Sequence, residues 1–166
     1  MENRRDAIDK ILQAYMPFYN IHKVENDTPV TFRCDYFAEN EGHFISKKAK
    51  LWTAAQEQFI YFADIEKMDM DVFNSVNNYV LSDGMDRLNI GPGHMSSEIV
   101  SVFICSECSD EIYNKVKKSA VRKNFRFTLH GWMDFFPVVV SIKDRKVISS
   151  GAGKDMVRSI SRILMF

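Results

Sequence analysis

The sequence predicts an α+β fold: a mixed or antiparallel sheet flanked by four helices, in the order α-β-β-β-α-β-α-β-β-β-α, within one domain spanning residues 1–166. Three observations lead there. Apolar residues recur at helical spacing in four separate segments, and shorter alternating or continuous apolar runs of strand length lie between them. No segment repeats at a fixed period of about 20 to 50 residues, which excludes a solenoid or propeller. With 46% hydrophobic and 13% aromatic residues, the chain can bury enough apolar surface to offset its ordering entropy, which excludes intrinsic disorder.

Taken in order, Ile8, Ile11, Leu12, Tyr15 and Met16 form one apolar helical face over residues 5–16, and Pro17 ends it. Val30, Phe32, Cys34 and Tyr36 alternate with Thr31, Arg33 and Asp35, as in a half-buried strand. The turn signal Glu39-Asn40-Glu41-Gly42 predicts a hairpin into a second strand, His43 to Trp52, and Phe59 to Ala63 reads as a third. Val72, Phe73, Val76, Tyr79 and Val80 restore the helical period, with Asp69 and Asp71 near the start, where acidic groups favour the helix dipole. Residues 82–97 hold Gly84, Gly91, Pro92 and Gly93 and read as a loop, the best place for a boundary between sub-structures.

The run Ile99 to Ile104 barely alternates, so it is expected to be a central strand buried on both faces. A helix over 109–122, a strand over 125–130, a hairpin of 138–142 with 147–150 around Asp144-Arg145, and a last helix burying Met156, Val157, Ile160, Ile163 and Leu164 complete the chain.

No stretch approaches the roughly 18 apolar residues of a membrane span, and the amino terminus runs into an amphipathic helix rather than an apolar signal core. Three cysteines are an odd number, which fits a reducing compartment. The expectation is a cytoplasmic protein with no membrane association. The net charge is zero, yet residues 1–83 carry a net −5 and residues 84–166 a net +5. Such an asymmetry fits either charge balance inside the fold or a basic face for an acidic partner.

The sequence feature with the most chemistry is Cys105-Ser106-Glu107-Cys108, placed between a strand and a helix start. Two sulfurs at this spacing can exchange a disulfide, and a helix start stabilises a thiolate; in the structural reading, buried cysteines are small hydrophobes. The order strand, cysteine pair, helix, strand, then Pro137 opening a hairpin and a terminal helix locally resembles the thioredoxin fold over residues 98–166. That resemblance implies Cys105 as attacking thiol, Cys108 as resolving thiol and Pro137 as the proline facing them. The Trp-Cys-Gly-Pro-Cys context is absent, and Glu107 raises rather than lowers a neighbouring thiol pKa.

The opening order of helix, three strands, helix and strand is similar to the core of restriction-endonuclease-like nucleases. That family implies an acidic residue on the second strand and an Asp/Glu-x-Lys triplet on the third, for metal-assisted phosphodiester hydrolysis. Here the third strand offers Glu57-Gln58-Phe59, while Asp64-Ile65-Glu66-Lys67 sets the lysine one position out, and 43–52 has no carboxylate. Zinc would need two more ligands beside the cysteine pair, with Cys34, His94 and His130 as the residues on offer and no second Cys-x-x-Cys. Gly151-Ala152-Gly153-Lys154-Asp155 departs from a phosphate-binding loop at Ile148 and Asp155. Lys115, Lys117, Lys118, Arg122, Lys123 and Arg126 form an acid-free run followed by Phe127 and Trp132, suited to weak nucleic-acid binding or to a solvated helix face.

No catalytic set is complete, and no cofactor or metal is expected. The reading is a binding or regulatory module that acts through protein contacts, with Lys115, Lys118, Arg122, Lys123 and Arg126 as the binding residues. The alternative is a thiol-dependent oxidoreductase using Cys105, Cys108 and Pro137.

Overall fold

The computed structural model describes residues 3–41 and 53–166. In chain order these form α1 (Arg4–Tyr15), β1 (Asn20–Lys23), β2 (Val30–Glu41), β3 (Thr53–Lys67), α2 (Met70–Arg87), β4 (His94–Glu107), α3 (Asp110–Val116), β5 (Val121–Asn124), β6 (Trp132–Ser141), β7 (Lys146–Ser149), a 3-10 turn at Gly151–Gly153 and α4 (Lys154–Leu164). The fold is α+β, and the element order is the one the sequence predicts.

Several bounds differ. The strand expected at 43–52 lies outside the described residues. β1 stands before it, a mostly exposed strand with no apolar alternation to announce it. Of the loop expected at 82–97, residues 82–87 are the last turns of α2 and 94–97 open β4. The helix expected over 109–122 stops at Val116, where Lys118 N–H bonds back to Lys115 O and Ser119 Oγ also donates to that carbonyl. The strand expected at 125–130 is a loop, because the strand pairing comes earlier, Val121–Asn124 against Trp132–Phe135.

The seven strands form one sheet in the order β1-β2-β3-β4-β6-β5, with β7 pairing beside β5 along the same edge of β6. β1, β2 and β3 run antiparallel, whereas β4 is parallel to both β3 and β6. Parallel neighbours need crossover connections, and these place helices on the sheet faces. Side chains alternate across the sheet. Ile60, Phe62, Val100, Val102, Phe136 and Val138 pack under α1 and α4, and Phe59, Tyr61, Ile99, Phe103, Phe135 and Val139 pack under α2 and α3. Ile99, Val100, Val102, Phe103 and Ile104 are fully buried, so β4 is the central, two-sided strand expected from its composition.

The first six elements reproduce the helix, three strands, helix, strand order. The second strand here is β2, which carries Asp35, whereas the sequence reading placed it at 43–52 without a carboxylate. Asp35 is held by both nitrogens of an Arg33 fork at 2.6 and 3.0 Å, with His22 Nε2 at 3.3 Å. Arg33, Asp83, Arg87 and Tyr61 extend the network and tie α2 to the sheet. The acid on the second strand is therefore matched with arginine rather than left open for a metal.

Gly84 of α2 lies against β4 so closely that a Cβ there would meet Ile99 Cγ2 at 2.7 Å and Cδ1 at 2.9 Å. Ile99 is β-branched and fully buried, so it cannot turn aside. Overpacking costs about 1–3 kcal/mol, against up to about 1 kcal/mol that alanine contributes to a helix over glycine. Gly84→Ala is expected to destabilise by about 1–2 kcal/mol in urea unfolding, whereas an exposed α2 site would gain from the same change.

Candidate functional site

The two ends of the parallel strands carry different chemistry. At the carboxyl ends of β3, β4 and β6 lie both cysteines. Cys105 is the penultimate inward residue of β4, fully buried under α3, with its thiol directed at Val140 O at 3.4 Å. Cys108 is partly exposed in a shallow hollow of about 240 Å³ with Lys67, Glu107, Lys143 and Asp144. All three cysteines are free thiols. The neighbouring Cys105 thiol holds Cys108 below its ordinary value, against the opposing effects of burial and Asp144. Cys108 and burial together push Cys105 upward. The accessible and more acidic thiol is thus Cys108, the reverse of the roles the thioredoxin resemblance implies. Glu107, expected to raise the neighbouring thiol, instead pairs with Lys143 at 2.7 Å.

Pro137 does not face the pair. It sits opposite Ser101 on β4, whereas Cys105 sits opposite Ser141, four residues or roughly 13 Å further along the strand. β5 pairs with β6 up to Phe135 and the pairing of β6 with β7 begins at Val138, so Pro137 occupies the break between them, where its missing N–H leaves no ladder bond unmade. Its bond is trans.

At the opposite ends of the same strands, buried polar groups anchor a surface loop. Glu57 on β3 accepts from Asn89 Nδ2 at 2.7 Å, from Asn89 N at 3.3 Å and from Ser97 Oγ at 3.0 Å. His94 Nε2 lies 2.6 Å from Ser97 Oγ, and its Nδ1 lies 2.6 Å from the carbonyl oxygen of His130. Glu57, His94 and Ser97 are each at most 7% exposed. The chain runs from β3 through β4 to the loop between β5 and β6. His94 and His130 therefore meet through a backbone carbonyl, and Cys34 packs under the other face. No metal-holding group of three His, Cys, Asp or Glu residues occurs among the described residues.

The loop itself is unusual. Arg126, Phe127 and Thr128 have φ of 46°, 52° and 71° in succession. Left-handed backbone costs a non-glycine residue about 1–2 kcal/mol, so the surroundings must hold it. Phe125 N donates to Gly131 O, His130 N to Phe125 O and Leu129 N to Arg126 O. Gly131 (φ 72°) has no room for a side chain, since a Cβ would lie 2.2 Å from Met95 O. Phe125 is buried at the loop's base, yet Phe127 is 97% and Leu129 80% exposed. The alternation of Phe125, Phe127 and Leu129 mimics a strand in the sequence, and nothing local announces the left-handed turn.

Lys115 and Lys118 stand at the end of α3, Lys123 on the edge strand β5 and Arg126 in the loop, all exposed. No ion pair among the described residues reaches these four. Arg122 differs, for it forks onto Asp134 at 2.6 Å with both nitrogens and stacks 5.4 Å from the Trp132 ring. Of the five expected binding cations, Arg122 is thus committed to an ion pair. Arg4 with Asp64, Arg33 with Asp35, Arg122 with Asp134 and Lys143 with Glu107 pair within one half of the chain, whereas Arg87 pairs with Asp83 across the two halves. Among the described residues no helix is long and apolar enough to cross a membrane.

Residues 3–162 match the family model described as a domain of unknown function (DUF8052). No curated protein and no solved structure matches the chain.

Two outcomes are expected. Alkylation of the native protein should modify Cys108 and spare Cys105 in peptide mapping. Because Cys108 is lowered, its rate should reach half-maximum at a lower pH than that of a free cysteine; a midpoint no lower than that of a free cysteine would mean Cys105 does not acidify it. His94→Phe should leave the His130 carbonyl and Ser97 short of a partner, at about 1–3 kcal/mol. Amide exchange at His130 and Gly131 should then accelerate, with Val138–Val140 unchanged.

Proposed function

The chain belongs to that family, and we propose that it is a non-catalytic binding or regulatory module that acts in the cytoplasm as one domain through contacts with another protein. The observation that carries this reading is the loop 125–131, which holds Phe127 and Leu129 in solvent on a left-handed backbone pinned to the buried His94 chain. An ordered, costly conformation that exposes two large apolar side chains is explained by a partner that covers them. Val121, half exposed on β5, extends the apolar surface along an edge strand. Lys123 lies on β5 and Arg126 in the loop, with Lys115 and Lys118 preceding β5 in the chain, which suits an acidic partner and sets association rate more than final affinity. Nucleic acid should bind weakly, since Arg122 is held by Asp134. Three free thiols support a reducing compartment.

Thiol chemistry is the second reading, favoured by the neighbouring Cys105 thiol, which lowers Cys108. In that case Cys108 attacks and Cys105 resolves, and Pro137 has no part.

The test places a photo-crosslinking amino acid at position 127 and, as a control, at position 165, where Met165 is 82% exposed. A defined protein adduct is expected at 127 alone, and the purified adduct partner should lose at least about tenfold in affinity, about 1.4 kcal/mol, on Phe127→Ser. Lys118→Glu with Arg126→Glu should slow association and flatten its salt dependence. Equal labelling at both positions, or an affinity indifferent to Phe127→Ser, overturns the reading.

A further inference from the structure

On the face covered by α1 and α4, the inward residues Ile60, Val100 and Phe136 lie in one row across β3, β4 and β6. One step toward the amino ends the same face continues as Gln58, Glu98 and Asp134, and a further step gives Gln56, Ser96 and Trp132. These side chains, with Tyr36 and Arg122, line a cleft of about 330 Å³. Tyr36 and Gln58 also line an adjoining hollow of about 550 Å³, walled by Phe18, Tyr19, Met156 and Ile163. One end of the combined groove therefore carries Glu98 and Asp134, and the other is walled mainly by aromatic and aliphatic side chains, with Asp155 among them.

Glu98 and Asp134 are direct neighbours on the parallel ladder, so their backbones stand about 4.8 Å apart. Like charges in that arrangement are unfavourable. Arg122 relieves only one of them: both its bonds go to Asp134. Glu98 accepts from Gln58 Nε2 at 2.5 Å, and Tyr19 fixes that amide by donating to Gln58 Oε1 at 2.5 Å. No ion pair among the described residues reaches Glu98. Burial raises its carboxyl pKa, Asp134 and Asp155 add to the rise, and the Gln58 bond opposes it. The molecule thus keeps a half-buried carboxylate whose missing partner is a positive charge.

We propose that this cleft binds an organic cation, an ammonium or guanidinium group carried on an apolar or aromatic body. The charge would sit against Glu98 and Asp134 beside the Trp132 and Tyr36 rings, and its body would lie over Tyr19 and the 71% exposed Phe18. Aromatic faces attract such cations, most strongly where water is excluded. A bare metal ion fits poorly, because the site offers it one carboxylate and an arginine-occupied second, between rings. An anion fits no better. The adjoining amino end of α4 lacks a side-chain cap, but Asp155 stands in its first turn and Glu98 and Asp134 face the same space.

The experiment is calorimetric titration of the full chain with two matched pairs. The free cation is phenethylammonium, with phenethyl alcohol as its neutral counterpart; the peptide form is acetyl-Phe-Arg-amide, with acetyl-Phe-citrulline-amide as its counterpart. At least one cation should bind, and its neutral partner should bind at least about tenfold more weakly. Binding of phenethylammonium identifies a small-molecule site, and binding of the peptide alone identifies a side chain of a partner; either supports the proposal. Glu98→Gln, which keeps the amide contact and removes the charge, should weaken binding by about tenfold or more, and Tyr36→Ala should weaken it without touching Glu98. Failure of both cations to bind at millimolar concentration, equal binding within each pair, or indifference to both substitutions overturns it. If either variant misfolds by circular dichroism, the matched pairs on the unaltered chain decide alone. Phe127→Ser should leave this binding unchanged, which separates the cleft from the loop surface.

Discussion

The structure depends on β4 being buried on both faces. A strand with parallel neighbours on either side must receive crossovers, and the crossover helices need apolar surface on the sheet. Ile99 to Ile104 supplies that surface in both directions. The odd-numbered side chains hold α2 and α3, and the even-numbered ones hold α1 and α4. Two polar residues in this strand are fully buried, and each is spent on a cross-link. Ser101 donates to Asn77 of α2 at 2.5 Å, and Ser97 donates to Glu57 of β3. A buried hydroxyl without a partner costs about 1–3 kcal/mol, so these bonds also fix where α2 and β3 sit. The close approach of Gly84 to Ile99 belongs to the same constraint.

What was legible in the sequence follows from range. Amphipathic helices and the β4 run are encoded by neighbours a few residues apart, and those elements stand where their periodicity places them, although α3 stops at Val116, short of the expected 122. β1 is legible only through its partner: Asn20–Lys23 carries no pattern of its own and exists because β2 offers an edge. Phe125, Phe127 and Leu129 show the opposite failure, a strand-like alternation overridden by three left-handed residues and by a hydrogen bond arriving from His94, which the sequence sets far upstream. Composition also misplaced the basic surface by one residue. Lys115, Lys118, Lys123 and Arg126 have no ion pair among the described residues, whereas Arg122 falls opposite Asp134 on β6 and pairs with it.

The thiols illustrate how local order can suggest roles that packing reassigns. The spacing of Cys105 and Cys108 suits exchange, but strand alternation sends Cys105 into the core beneath α3, and only Cys108 emerges. Pro137 is explained without reference to either: it fills the break between β5 and β7, where a proline is tolerated in an otherwise central strand. The resemblance in element order therefore does not extend to the geometry.

Both candidate binding surfaces draw on the amino ends of β3 and β4, separated by one residue of register. Glu57 and Ser97 point to the α2 side and pin the 125–131 loop through His94; Gln58 and Glu98 point to the α1 side and line the acidic cleft. Because side chains alternate with a period of two, a slip of one residue in the pairing would exchange the two sets. It would bury Glu98 beneath α2 and turn Ser97 toward the groove. The apolar residues that follow in each strand, Phe59 with Ile99 on one face and Ile60 with Val100 on the other, forbid that slip by their packing. The core is thus what gives each polar surface its position, and substitutions that loosen β3 against β4 should disturb the loop and the cleft together even where they touch neither.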